Sequence, residues 1–169
     1  MTYQLPTYQD MVDFTADTAV DQGLDPTDVV HGFMGEGLGP NIWQSKVVKN
    51  GVQEPSYGIP QLHASYLGAE FERDNPGLRV DDPANWQAVA RYGITRLKDT
   101  GWGPYYGAQK AGYTGKVRSF DPARPFDPTL VAGYDTDSGA QKTMPQPSLL
   151  APPDPTDQPQ GGLIDPYTG

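Results

Sequence analysis

A mainly α-helical domain followed by an extended, proline-rich segment is the architecture this sequence predicts, and three observations carry it. Apolar residues recur at helical spacing behind cap-forming residues at 7–22, 26–36 and 82–100. Only the stretch around 46–58 invites a β-element, and a small one. From residue 118 the periodicity stops: residues 118–169 hold ten of the eighteen prolines and no glutamate. The chain therefore divides into a domain over 1–117 and an extended tail over 118–169.

The first helix is expected over 7–22. Met11, Phe14 and Thr18 form one stripe, Val12, Ala16, Ala19 and Val20 lie beside it, and Gly23 is a stop. Asp10, Asp13, Asp17 and Asp21 make an acidic outer face, read most simply as solvated. The second helix opens with Asp25 as cap, Pro26 at the first helical position and Asp28 in the first turn. Val29, Val30, Phe33 and Met34 give it a core face, and Gly37, Gly39 and Pro40 end it. His31 on this helix reads as a packing or hydrogen-bonding residue, because no second metal ligand stands at helical spacing from it.

Glu36 is thereby placed at the C-terminal end of a largely buried helix. The helix dipole disfavours an anion there, and partial burial disfavours it again. Both raise the carboxyl pKa, as a general acid working near neutral pH requires. Taken alone, a solvated helix-end glutamate is the plainer reading.

Residues 37–57 are mostly loop, with a short helical turn expected at Asn41-Ile42-Trp43. Trp43 suits the core or a saccharide-stacking platform equally. Lys46, Lys49 and Asn50-Gly51 suggest an exposed turn or hairpin. Glu54, before Pro55, belongs in extended backbone and is the second-choice acid or a water-orienting group. Ser56-Tyr57-Gly58-Ile59-Pro60-Gln61-Leu62-His63 forms a compact turn of small, aromatic and amide side chains. A third helix, or a helix and turn, is expected over 61–73, with Glu70 and Glu72 on its solvated side and Asn75-Pro76-Gly77 as breaker. The clearest helix starts at Asp82-Pro83 and runs to Gly101, with Trp86, Val89, Ala90, Gly93, Ile94 and Leu97 on one face. Gly101-Trp102-Gly103-Pro104-Tyr105-Tyr106-Gly107-Ala108 follows, its aromatics equally suited to capping the core or lining a cleft.

In the tail, Phe120-Asp121-Pro122 recurs as Phe126-Asp127-Pro128, and the net charge is −4. No period persists, so the segment cannot bury a core of its own. Its spaced apolar residues (Phe120, Phe126, Leu130, Val131, Tyr134, Leu149, Leu150, Leu163, Ile164 and Tyr167) are expected to anchor it against the domain or a neighbouring subunit.

The overall charge of −9 and pI near 4.4 argue against nucleic-acid binding and attachment to anionic membranes. Cysteine is absent, which excludes disulfides and thiolate metal sites. The N-terminus has neither a basic region nor an apolar run, and no stretch is long enough to insert in a bilayer. No second metal ligand stands at a suitable spacing from His31 or His63, and no phosphate-binding glycine loop precedes a lysine, so no metal or cofactor is expected.

Glu36, a polar loop and then Ser56-Tyr57-Gly58-x-x-Gln61 together resemble the goose-type lysozyme and soluble lytic transglycosylase superfamily, particularly its phage virion-associated members. The segment from Gly101 to Ala108 is similar to the G-W-G-P-aromatic-x-G-A ending of phage lysozyme-like domains. The resemblance covers roughly residues 7–113 and departs at Gly37, where the family commonly has serine. It implies a lysozyme-like fold and cleavage of the β-1,4 bond between N-acetylmuramic acid and N-acetylglucosamine in peptidoglycan. Glycoside hydrolysis ordinarily uses two carboxylates. A lytic transglycosylase needs one, because the muramyl 6-hydroxyl supplies the nucleophile. The resemblance implies that Glu36 serves as acid and then base, with Ser56, Tyr57, Gly58 and Gln61 lining the cleft and Tyr105 or Tyr106 positioning the acid. It further implies carriage in a phage particle, action in the host periplasm or cell wall, and attachment to other virion or tail proteins through 118–169. The rival expectation is an inactive structural protein of the same fold, tethered in the virion or tail by its C-terminal segment.

Overall fold

The computed structural model describes residues 5–39 and 43–127. Helix α1 runs Tyr8–Asp21 and α2 Pro26–Glu36, within one residue of the expected bounds. Thr7 and Asp10 form a reciprocal capping box on α1, and Asp25 accepts from the Thr27 and Asp28 backbone N–H groups to start α2. Gly23 is left-handed at φ +75°, which lets the chain reverse between the two helices. Two antiparallel hairpins follow: β1 Val48–Lys49 with β2 Val52–Gln53, and β3 Ser56–Tyr57 with β4 Leu62–His63. Helix α3 spans Leu67–Asp74, a single 3-10 turn at Pro83–Asn85 leads into α4 at Trp86–Thr100, and α5 is Tyr106–Lys110.

The fold is mainly α with a small β-element, as the sequence predicts, although the β-element reaches His63 rather than ending near 58. Residues 61–66 are thus strand and turn, and the third helix starts only at Leu67. Leu62 pairs with Tyr57 and is fully buried, so cross-strand pairing takes a residue that helical spacing also accommodates. Glu70 and Glu72 are not free surface charges. Glu70 pairs with Arg96 at 3.0 Å, and Glu72 accepts from the Val80 N–H at 3.0 Å. Of the expected turn at 41–43, residues 41 and 42 lie outside the described residues.

One core joins α1, α2, α4 and α5 around Met11, Val30, Phe33, Ile94, Leu97 and Trp102. A smaller cluster of Leu62, Phe71, Val80 and Val89 lies under the second hairpin. Helix α2 is the hub because its glycines admit neighbours that a side chain would exclude. The Trp102 ring rests on Gly32, and a Cβ at Gly35 would lie 2.9 Å from the Gly107 carbonyl oxygen. The start of α5 therefore packs backbone to backbone on the last turn of α2.

The domain does not stop at residue 117. Leu24 and Ser119 form an antiparallel bridge, Asp25 N–H donates to the Arg118 carbonyl at 2.8 Å, and Phe120 N–H donates to Gly23 at 2.9 Å. Arg118 reaches the buried Asp28 with two hydrogen bonds, at 2.7 and 2.5 Å, and lies 3.7 Å from buried Asp25. Phe126 packs against the main core. The composition break at 118 marks the end of helical periodicity, not the end of the folded unit. The anchors from Leu130 to Tyr167 lie outside the described residues. Among the described residues, no helix is long and apolar enough to cross a membrane.

Candidate active site

Glu36 is the last residue of α2 and is half-buried. Its Oε1 accepts the Ala108 backbone N–H at 2.8 Å, a contact made possible by the Gly35–Gly107 packing one residue earlier on each side. Burial raises the Glu36 pKa above the ordinary 4.5, the N–H groups of Ala108 and Gly107 oppose that shift, and the Glu54 charge adds to it. Desolvation prevails, so the carboxyl holds its proton to higher pH than a solvated glutamate. The dipole at the end of α2 is only half of its surroundings, since the first turn of α5 brings N–H groups to the same carboxyl.

Gln61 is brought over this carboxyl's neighbour. A Cβ on Gly37 would lie 2.9 Å from Gln61 Cγ, so the glutamine side chain covers Gly37, which itself has φ +147°. Serine does not fit there without moving Gln61, which gives the departure at Gly37 a physical reason. Gln61 is left-handed at φ +50°, unusual for a residue with a side chain, and its Nε2 donates to Gly58 O at 2.7 Å. Gly58 is needed where it stands: it has φ +76°, and a Cβ would lie 2.6 Å from Val89 Cγ1. Pro60 rests on Gly93 one turn further along α4, a Cβ there falling 2.5 Å from its ring. Helix α4 thus fixes the β3–β4 turn, and the turn fixes Gln61 over Gly37, the residue after Glu36.

Glu54 accepts from Ser45 Oγ at 3.0 Å and lies 3.6 Å from Lys49 Nζ, near enough to the acid for its charge to be felt there. Ser56 is buried, and its carbonyl accepts the Ser45 N–H at 2.8 Å. Tyr57 is half-buried, paired with Leu62 and packed on the smaller cluster. These two shape the strand behind the turn more than they line an open cleft. The adjacent tyrosines separate cleanly. Tyr105 is 1% exposed and its hydroxyl donates to Gly93 O at 2.8 Å, so it is a core residue and not a cleft-lining one. Burial and the nearby Glu36 charge keep that hydroxyl protonated. Tyr106 is 68% exposed, with Lys110 Nζ 4.6 Å from its ring centroid, and it stands two residues from the N–H that holds Glu36.

Trp43 is half-buried against both clusters, and its Nε1–H donates to Asp81 O at 3.0 Å, so its ring belongs to the core. The His63 ring lies tilted beside Tyr66, with centroids 5.0 Å apart, and His63 accepts from the Ser65 N–H, while His31 is half-buried on α2. Among the described residues, no group of three or more His, Cys, Asp or Glu is arranged to hold a metal ion. Missing from the sequence reading were the N–H groups of Gly107 and Ala108. The paired glycines at 35 and 107 were the available signal, but their meeting is a matter of tertiary packing. No protein-family model, curated protein or solved structure matches the chain.

Proposed function

We propose that the protein is a lysozyme-like enzyme of the lytic transglycosylase type that cleaves the β-1,4 glycosidic bond of peptidoglycan, with Glu36 as proton donor. The observation that carries this reading is a half-buried carboxyl at a helix end, raised in pKa by burial and held by a backbone N–H. Glu36 protonates the leaving glycosidic oxygen. Its carboxylate then takes the proton of the muramyl 6-hydroxyl as that oxygen closes the 1,6-anhydro ring on the anomeric carbon. Gln61 covers Gly37, the residue after the acid, and Tyr106 offers an exposed aromatic face for a sugar ring. In this reading the protein travels in a phage particle to assist genome delivery through the cell wall, and residues 118–169 join it to other virion or tail proteins.

A second reading, an inactive structural protein of the virion or tail, is favoured by one observation. The hydrogen bond that holds Glu36 also caps α5, which gives the carboxylate a structural reason to exist. Incubation of the wild type and Glu36→Gln with purified peptidoglycan, followed by mass spectrometry of released muropeptides, decides between them. Anhydro-muropeptides from the wild type alone establish the transglycosylase. Products heavier by one water make the enzyme a hydrolase. No release by folded wild type leaves the structural reading.

A further inference from the structure

The chain has four asparagines, and one differs from the rest in what governs the lifetime of its side-chain amide. Asn50 is followed by Gly51, whereas Asn41, Asn75 and Asn85 are followed by Ile42, Pro76 and Trp86. An asparagine amide is lost when the backbone nitrogen of the next residue attacks the side-chain carbonyl carbon. Glycine leaves that nitrogen open, a β-branched or aromatic residue shields it, and proline has no N–H to give up. Hydrogen bonds protect two of the others further. Asn75 Nδ2 donates to Phe71 O at 2.9 Å, Asn85 Nδ2 donates to Arg79 O at 3.0 Å, and the Trp86 N–H donates to Pro83 O. Asn41 lies outside the described residues.

Asn50 and Gly51 form the loop between β1 and β2, both exposed, with φ of +52° and +77°. Positive φ at both central residues is the pattern of a type I′ turn, which asparagine followed by glycine enters readily. Among the described residues, neither the Asn50 side chain nor the Gly51 N–H makes a hydrogen bond, and a Cβ on Gly51 would meet nothing within 4 Å. Attack requires the backbone to leave this turn briefly, and opening is cheap here. Strands β1 and β2 form a sheet of their own, every residue in it is exposed, and a lone two-stranded hairpin is marginally stable. The opening stops at the base, where Glu54 N–H donates to Val47 O and Ser45 N–H to Ser56 O, each at 2.8 Å.

We propose that Asn50 is a site of spontaneous covalent modification, at which water converts the asparagine through a succinimide to isoaspartate and aspartate, and that isoaspartate opens the β1–β2 hairpin. The Gly51 nitrogen bonds to Asn50 Cγ and gives up its proton, and the side-chain nitrogen leaves as ammonia. Water then opens the ring. Addition at Cγ breaks the new bond and yields aspartate. Addition at the main-chain carbonyl breaks the original peptide bond instead, and the chain thereafter runs through the side chain as isoaspartate. Aspartate still tolerates the left-handed turn. Isoaspartate lengthens the main chain between Lys49 and Val52, so the pairs Lys49–Val52 and Val48–Gln53 do not re-form in register. Either product adds a negative charge beside Lys49.

The test ages the full-length protein in mildly alkaline buffer and follows each asparagine by peptide mapping and mass spectrometry, with a protein isoaspartyl methyltransferase as the probe for isoaspartate. The peptide bearing Asn50 should show the amide-to-acid mass gain about tenfold or more faster than those bearing Asn41, Asn75 and Asn85, a barrier difference of about 1.4 kcal/mol. The methyl label should fall on that peptide, and amide hydrogen exchange across 48–53 should quicken in the isoaspartate-bearing fraction. Asn50→Gly keeps a glycine pair, which this turn accepts, and should take up no label on ageing. Amide loss at Asn50 no faster than at the other asparagines, or equal labelling of aged Asn50→Gly, overturns the modification site. Conversion to aspartate alone, or unchanged exchange across 48–53 once isoaspartate has formed, overturns the opening of the hairpin.

Discussion

Glu36 Oε1 and the Ala108 N–H are 72 residues apart in sequence and 2.8 Å apart in space. The contact makes Glu36 a cap on α5, while its proposed role as proton donor rests on the burial that raises its pKa, and the two separate on substitution. Glutamine keeps an amide oxygen for Ala108 but cannot donate as an acid. Glu36→Gln is expected to unfold within about 0.5 kcal/mol of the wild type and to release no muropeptides, whereas Glu36→Ala loses about 1 kcal/mol as well. Urea unfolding beside the muropeptide assay checks both.

The raised pKa of Glu36 has a defined sign for stability. The native state binds this proton more tightly than the unfolded chain, so the contribution is fully present below the unfolded value near 4.5. It is lost as pH rises through the folded value. The difference in unfolding free energy between wild type and Glu36→Gln, measured from pH 4 to 8, should therefore move against the wild type with rising pH. Bond cleavage, which needs the protonated acid, should decline over the same window.

Gly107→Ala places a methyl group against the Gly35 carbonyl, backbone that cannot swing aside. The expected cost is about 1–3 kcal/mol. Because the Ala108 N–H moves with it, activity should fall further than thermal stability does. Gly37→Ser, although it restores the residue common in the resembled family, should also destabilise, by about 1 kcal/mol, through its φ of +147° and the displacement of Gln61.

Arg118→Ala leaves Asp28 and Asp25 buried without their cation. With the arginine side chain about a third exposed at 34%, the loss should be about 1–3 kcal/mol, below that of a fully buried pair. Thermal unfolding of full-length variants measures it, and an unchanged midpoint would show that residues 118–120 merely lie alongside the domain.

The two tyrosines predict opposite outcomes. Tyr105→Phe removes the donor to the buried Gly93 carbonyl and should cost about 1 kcal/mol with modest effect on KM. Tyr106→Ala should leave the unfolding midpoint unchanged and raise KM for glycan strands several-fold.

Helices α1, α2 and α4 were legible because their apolar spacing, caps and glycine stops all agree. The placement of Glu36 at the end of α2 followed from the same signals. The start of α3 was not legible, since Leu62 fits a helix face and a buried strand position alike. Adjacent Tyr105 and Tyr106 carry identical local signals, and only the α5 backbone decides which one turns inward. The pairing of 118–120 with 23–25 is long-range, and a proline-rich composition conceals it.

The Gly35–Gly107 crossing has a consequence for how the acid can drift. Side chains in a core hop between rotamers and give way under substitution, but here no side chain separates the two helices. The location of the Glu36 backbone is set at this crossing by main chain. Repacking elsewhere in the domain should leave it undisturbed, and its adjustment falls to the two segments that approach from outside, the turn bearing Gln61 and the loop bearing Glu54. Divergence in bond preference among related sequences would then accumulate in residues 44–61, while positions 35 and 107 stay bare.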